Sequence, residues 1–251
     1  MAQRPIISGW TIQRVLNARP GNINISLDLG LHRCNLQLDV NALKLPDQFD
    51  VSLAVLQEID PAAEDCFLLS PEGGVRKVYI YSDDTRKYYK LYQPEEDVAP
   101  TIVIAGATMH TIVDKTPWGD ADEKTNALLN NAGACLDTCF GLGYSAQLLQ
   151  DKGYAKVVSC EKDPNVLRIA RTNPWSCPAF EREDVRIVEN DVRDFLTRCR
   201  DKQFASIFHD PPTIHQAGEL YSGELYQEFY RVLQPRGIFY HYVGDPGGKR
   251  G

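Results

Sequence analysis

None of the seven cysteines forms a CxxC pair and none of the five histidines falls at zinc-finger spacing. The commonest structural zinc sites are thereby excluded. The cysteines, at 34, 66, 135, 139, 160, 177 and 199, are odd in number and scattered, several of them within apolar stretches. That distribution excludes a disulfide framework and predicts reduced, buried thiols in a reducing, cytoplasmic compartment. Cys135 and Cys139 straddle the end of an apolar stretch, which suits packing better than ligation, so no metal is expected. No apolar run approaches the ~20 residues of a membrane-spanning helix, so the chain reads as soluble and no membrane partner is expected. Positive charge is also short: 27 Lys and Arg stand against 34 Asp and Glu, a net charge of −7. This balance gives no broad electrostatic footprint for nucleic acid and leaves only a local basic groove open.

What is present is enough for a large core, since 43% of 251 residues are hydrophobic. The first 27 residues carry Arg4, Arg14 and Arg19 and no acid, a faint transit-peptide signature. Ile12, Val15 and Leu16 fall at helical spacing before a strand pattern, which favours the opening helix of a domain. Ile23 to Leu31 then alternate strictly, and Leu36, Leu38 and Val40 alternate in the opposite phase. The change near His32-Arg33 predicts two strands joined by a turn. Residues 50–58 read as a short helix. Residues 78–81 and 88–92 flank Asp83-Asp84 as a hairpin, and 101–105 and 107–112 flank Gly106 in the same way. Residues 1–115 are therefore expected to form a small mostly-β domain, the expected place of substrate selection.

From residue 116 strands alternate with helices, the pattern of a doubly wound, mainly parallel α/β sheet of Rossmann-like type. The stretch CLDTCFGLGYSAQLLQDKGYAKVVSCE, residues 135–161, holds most of the functional information. A strand ends in Asp137, a loop carries Gly141 and Gly143, and a helix over about 143–152 follows. A second strand then ends in Glu161. The glycines permit a tight turn and close ligand approach, and the helix N-terminus offers positive potential. Glu161 stands where a carboxylate accepts both hydroxyls of a ribose. The spacing fits a dinucleotide fingerprint. Asp137, however, would oppose a diphosphate and suit a cationic, amino-acid-bearing ligand. A strand over 185–189 leads to Asn190-Asp191, placed for an adenine edge, and a strand over 204–209 leads to Asp210-Pro211-Pro212. Asp191 reads equally as a helix cap, Ser222 reads as the cap of the helix to Leu233, and Asp163-Pro164 reads as a purely structural helix start. A fifth strand is expected over about 238–243.

In series, DTCFGLG, VVSCEKD, VENDV and HDPP resemble the motifs of class I S-adenosylmethionine-dependent methyltransferases. With NPWS at 173–176, MHTIVDKTPWGD and the segment from HDPP to GDPG, the chain looks closer still to predicted archaeal-type methyltransferases of unknown substrate. The general resemblance covers about residues 120–245. Where the loop usually has its first glycine, this chain has Cys139. The resemblance implies S-adenosyl-L-methionine as cofactor, held by Asp137, Cys139, Gly141, Gly143, Glu161, Asn190 and Asp191. It also implies methyl transfer, with the acceptors of Asp210 and the Pro211 carbonyl orienting a substrate nitrogen. Thr213 stands where such motifs usually carry an aromatic for stacking on a base.

His209 and His215, which bracket this loop, are the candidate bases, with His241 and His110 as further histidines placed toward the cleft. Glu219 and Tyr221 are expected to line the substrate pocket, and Trp118 and Trp175 read as pocket aromatics or core. Aminopropyl transfer from decarboxylated S-adenosylmethionine stays open, with Glu219, Glu224 and Asp245 as polyamine-binding acids. So do an NAD-dependent oxidoreductase and a non-catalytic cofactor-binding subunit. RNA, protein, polyamine and small metabolite all stay open as acceptors, and so does a homo-oligomer. The fold usually adds a final β-hairpin that has no counterpart before Gly251, which predicts a short sheet edge or a C-terminally incomplete domain.

Overall fold

The computed structural model describes residues 4–46, 49–59, 62–72, 74–128 and 133–244. The chain divides into two units: Met1–Trp118 with Arg171–Trp175, and Gly119–Ala170 with Ser176–Gly251. The first unit holds β1 (Ile6–Ser8), α1 (Gly9–Asn17), β2 (Gly21–Ser26), β3 (Arg33–Leu38), β4 (Ala42–Lys44), β5 (Asp50–Ser52) and α2 (Leu53–Glu58). It continues with β6 (Cys66–Leu69), β7 (Val75–Lys77), β8 (Tyr79–Ser82), β9 (Lys87–Tyr92), β10 (Thr101–Ile104) and β11 (Ala107–Thr108). These strands form three antiparallel sheets among the described residues, ordered β1-β6-β7, β2-β3-β4-β5 and β11-β10-β9-β8. Ile12 and Val15 of α1 are buried with Ile23, Ile25, Leu36 and Leu38, the inward residues of β2 and β3. The alternation in the sequence is thus the inward face of a real hairpin.

Two expectations shift in detail. The connection between β2 and β3 spans 27–32, longer than the turn expected at His32-Arg33. Ser26 Oγ accepts from the Asp28 and Gly30 amides, and Asp28 Oδ1 accepts from the His32 amide, so side chains take over the hydrogen bonds of the ladder. Residues 50–58 begin as a strand, β5, before α2, because Val51 pairs with Leu43 and buries its side chain. Trp175 also belongs to this unit. Its indole donates to the Leu29 carbonyl at 3.1 Å and its ring lies 5.7 Å from that of Trp118.

The second unit is built on most of α3 (Pro117–Thr125), β12 (Ala134–Asp137), α4 (Tyr144–Asp151), β13 (Lys156–Glu161), most of α5 (Pro164–Thr172) and α6 (Cys177–Glu181). β14 (Val185–Glu189), α7 (Val192–Leu196), β15 (Phe204–His209), α8 (Gly223–Val232) and β16 (Leu233–His241) complete it. The five strands form a parallel sheet in the order β14-β13-β12-β15-β16. Central strands of such a sheet are covered on both faces and read as continuous apolar runs. β15 does so, all six of its residues being buried. Leu136, Val158, Ile207, Leu225 and Phe229 share one core, each worth about 1.5–3 kcal/mol in removed apolar surface. β16 begins earlier than expected, at Leu233, with a break in its pairing to β15 across Pro235 and Gly237. Arg236 adopts φ +67° there. The fold expected from the sequence, a Rossmann-like doubly wound sheet after a mostly-β part, is the fold found.

Candidate active site

The strand order reverses between β12 and β15, since the chain proceeds outward from β12 to β14 and then returns to the other side. In open α/β sheets, ligands bind beyond the carboxyl ends of the strands at such a point. Asp137 ends β12, Glu161 ends β13, Asn190-Asp191 follows β14 and Asp210 follows β15. Parallel pairing in register brings these positions to one edge.

Asp137 is fully buried. Its Oδ2 accepts from Ser159 Oγ at 2.6 Å and from Ser145 Oγ at 3.1 Å. Oδ1 is buried without a hydrogen bond of good geometry, although the Cys139 amide is near enough to help the charged form. Burial outweighs these donors and pushes the carboxyl up to about 7. Glu161 reaches back to the glycine loop: its Oε2 accepts from the Gly141 amide and its Oε1 from the Asp163 amide, each at 3.0 Å. Burial raises this carboxyl too, to about 7, against those amides. The pKa of the Cys139 thiol is raised by burial and, further, by the negative charges of Glu161, Asp137 and Asp210.

The two glycines do different work. Both have positive φ, +55° at Gly141 and +73° at Gly143. A Cβ on Gly143 would lie 2.4 Å from the Phe140 ring, so its bareness serves packing. A Cβ on Gly141 would meet nothing within 4 Å, so the space beside that backbone is open to a ligand. Phe140 is held by a hydrogen bond from its amide to the Cys160 carbonyl at 2.7 Å and by an edge contact with Phe180 at 5.4 Å.

Asn190 donates its amide to the Glu161 and Val188 carbonyls, each at 3.0 Å, closing the turn after β14. Asp191 caps α7 through the Arg193 amide at 2.9 Å and pairs with the Arg193 guanidinium, which holds its carboxyl below the ordinary range. Asp163 accepts from the Asn165 amide at the start of α5, as its structural reading required.

The loop after β15 is braced from two sides. Tyr221 donates to the Pro212 carbonyl at 2.9 Å. Asp210 Oδ2 receives Lys124 Nζ at 2.9 Å, and the same ammonium lies 2.9 Å from Asp120 Oδ2. Pro211 is buried. His209 does not present the free nitrogen expected of a base. It is fully buried, Nε2 lies 2.9 Å from the Leu220 carbonyl, and Nδ1 lies 2.7 Å from Thr138 Oγ1. The carbonyl accepts only, so Nε2 carries the proton and Nδ1 accepts from the threonine hydroxyl. Burial depresses this imidazole to about 4, so it acts as a neutral brace. His215 is exposed, in a turn where the Gln216 and Ala217 amides both donate to the Thr213 carbonyl. Glu219 pairs with Lys162 at 2.8 Å. His241 packs against His209 with ring centres 4.6 Å apart and the ring planes tilted by 42°. His110, in the first unit, bonds Thr101 at 2.8 Å. Asp245 lies outside the described residues.

The sequence reading missed Lys124 and Asp120, the partners that hold Asp210. Their i, i+4 spacing in WGDADEKT was the available signal. No group of three or more metal-ligating side chains occurs among the described residues.

No family model matches the chain. A spermidine synthase crystallised with the transition-state analogue AdoDATO superposes with a TM-score of 0.50 at 18% identity. The superposition covers 62% of this chain and 54% of that one, so the chain spans about half the length of that enzyme. At this identity the likeness is one of fold. Over 129 residues, 50% of this chain and 26% of the relative, the sequence is 27% identical to protein arginine N-methyltransferase 2 of Debaryomyces hansenii. The uncharacterized protein MJ1233 of Methanocaldococcus jannaschii is 36% identical over 247 residues, 97% of this chain and 83% of the relative. With nearly its whole length aligned at that identity, the chain belongs to the family of the archaeal protein MJ1233.

Proposed function

We propose that the chain is an S-adenosylmethionine-dependent methyltransferase acting on a nitrogen held by the Asp210-Pro211-Pro212 loop. The observation that carries this reading is Asp137, fully buried at the switch point beside an open glycine loop, its Oδ1 without a hydrogen bond of good geometry among the described residues. A buried polar atom without a partner is costly, and a ligand with a cationic amino group would satisfy it. Glu161 would take the ribose hydroxyls, and the turn at Asn190-Asp191 would meet the adenine. When bound, the cofactor would supply a sulfonium methyl, whose carbon would bond to the lone pair of the acceptor nitrogen as the C–S bond breaks and its electron pair leaves on the thioether. The protein's part is alignment: two prolines stiffen the loop, Tyr221 fixes it, and Asp210 accepts an N–H of the substrate. The nitrogen loses its proton to Asp210 or to water. The mostly-β unit is the proposed place of acceptor choice. The relation to the arginine methyltransferase supports methyl transfer to nitrogen.

The fold shared with spermidine synthase favours a second reading, aminopropyl transfer from decarboxylated S-adenosylmethionine. Thermal melting with S-adenosylmethionine, its decarboxylated form and NAD separates the readings. Methyl transfer predicts the largest shift with S-adenosylmethionine, about 2.7 kcal/mol at a hundredfold excess over Kd. A larger shift with the decarboxylated form moves the assignment to aminopropyl transfer. A shift with NAD alone rejects both.

A further inference from the structure

Lys124 is a lysine with only 9% of its side chain exposed, in contact with two carboxylates and an aromatic ring. Its ammonium lies 2.9 Å from Asp120 Oδ2 on its own helix, 2.9 Å from Asp210 Oδ2 after β15, and 4.2 Å from the centre of the Tyr242 ring. Burying an ammonium costs several kcal/mol unless its partners are well placed, so three partners around one lysine mark a built arrangement. Asp210 Oδ1 carries no hydrogen bond among the described residues, and the side chain is 23% exposed.

We propose that Lys124 is a positioning residue for the acceptor loop, resting on the assignment of Asp210 to the acceptor nitrogen: it holds one oxygen of Asp210 so that the other faces the substrate. The charges acting on Asp210 are those of Lys124 and Asp120 from α3, and Asp210 in turn acts on Asp137 at the end of β12, Cys139, Tyr221 and Tyr240. Burial raises the Asp210 carboxyl, Lys124 opposes that rise, and Asp120 adds to it. Lys124 keeps its own charge because the two carboxylates outweigh its burial. Without the ammonium, two carboxylates would share a buried site and Asp210 would hold its proton to higher pH. A protonated oxygen would donate where the amine needs an acceptor.

Opposite-sign variants test this. Lys124→Met should raise the midpoint of the Asp210 carboxyl in a carbon-13 NMR titration, assigned by the signal lost in Asp210→Asn. Asp120→Asn should lower it. Both variants break the ion triad and both lose stability in melting; the opposite midpoints show that Lys124 controls the charge of Asp210, and the positioning role is read from transfer and its acidic limb. Transfer of label from S-adenosylmethionine to fractionated cell extract should fall about a hundredfold at pH 7 in Lys124→Met, the scale expected for a misplaced catalytic group. The acidic limb of transfer should move upward in Lys124→Met and downward in Asp120→Asn. Midpoints that stay put, or move together, overturn the proposal, and so does Lys124→Met transferring like the wild type. Absence of transfer by the wild type overturns the methyl-transfer reading and with it the catalytic part of the proposal. The titration still decides separately whether Lys124 controls Asp210.

Discussion

Replacing Asp137 by Asn should make the unliganded protein more stable at pH 8 while destroying its response to cofactor. Asp137 has no exposed surface, and its carboxyl rises from an ordinary 3.8 to about 7, chiefly through burial. The folded state therefore holds the proton more tightly than the unfolded state between those two values. Stability from this group is fully present below pH 3.8 and is lost as pH climbs toward 7. At about 1.4 kcal/mol per pH unit the loss approaches about 4 kcal/mol, an upper bound because Ser159 and Ser145 relax around the charge. Asparagine keeps an oxygen for both serines and carries no charge to bury. Urea unfolding at pH 5 and pH 8 gives the difference between variant and wild type at each pH, so that other titrating groups cancel. The variant should gain by up to about 4 kcal/mol at pH 8, and the gain should shrink toward pH 5. In the same samples S-adenosylmethionine should shift the melting of the wild type only. A variant equally destabilised at both pH values would show that Asp137 is a satisfied structural acid, and the cofactor reading would lose its main support.

The glycine loop should separate fold from binding. Gly143→Ala forces a methyl within 2.4 Å of the Phe140 ring at φ +73° and should cost about 1–3 kcal/mol or more in thermal unfolding. Gly141→Ala, with open space around it, should cost only about 1–2 kcal/mol for its positive φ but abolish the cofactor-induced shift. Tyr221→Phe removes the bond to the Pro212 carbonyl and should lower stability by about 1 kcal/mol and label transfer by more than that loss of stability explains.

The elements of the second unit were legible because their signals are local. Apolar runs ending in acids marked β12 and β13, and Asp163-Pro164 and Ser222 marked helix starts through caps that form as expected. The alternating residues of β2 and β3 were legible for the same reason, since a period of two buries one face. The extent of the 27–32 connection was not legible, because Ser26 and Asp28 side chains substitute for backbone partners there. Nor was the break in β16 at Pro235, where pairing is lost and regained along one strand.

The sequence by itself determined the parallel sheet, the glycine loop and the row of acids at its edge, since each follows from residue type and spacing along the chain. Only the tertiary structure decided what those residues do once together. It made His209 a neutral brace, because burial disfavours its charge and two partners occupy its nitrogens. It left Oδ1 of Asp137 without a hydrogen bond of good geometry among the described residues, because the serines that approach both bind the other oxygen. It joined Asp210 to Lys124 across 86 positions of sequence, a pairing that no local pattern encodes and that follows only from the packing of α3 beside the end of β15.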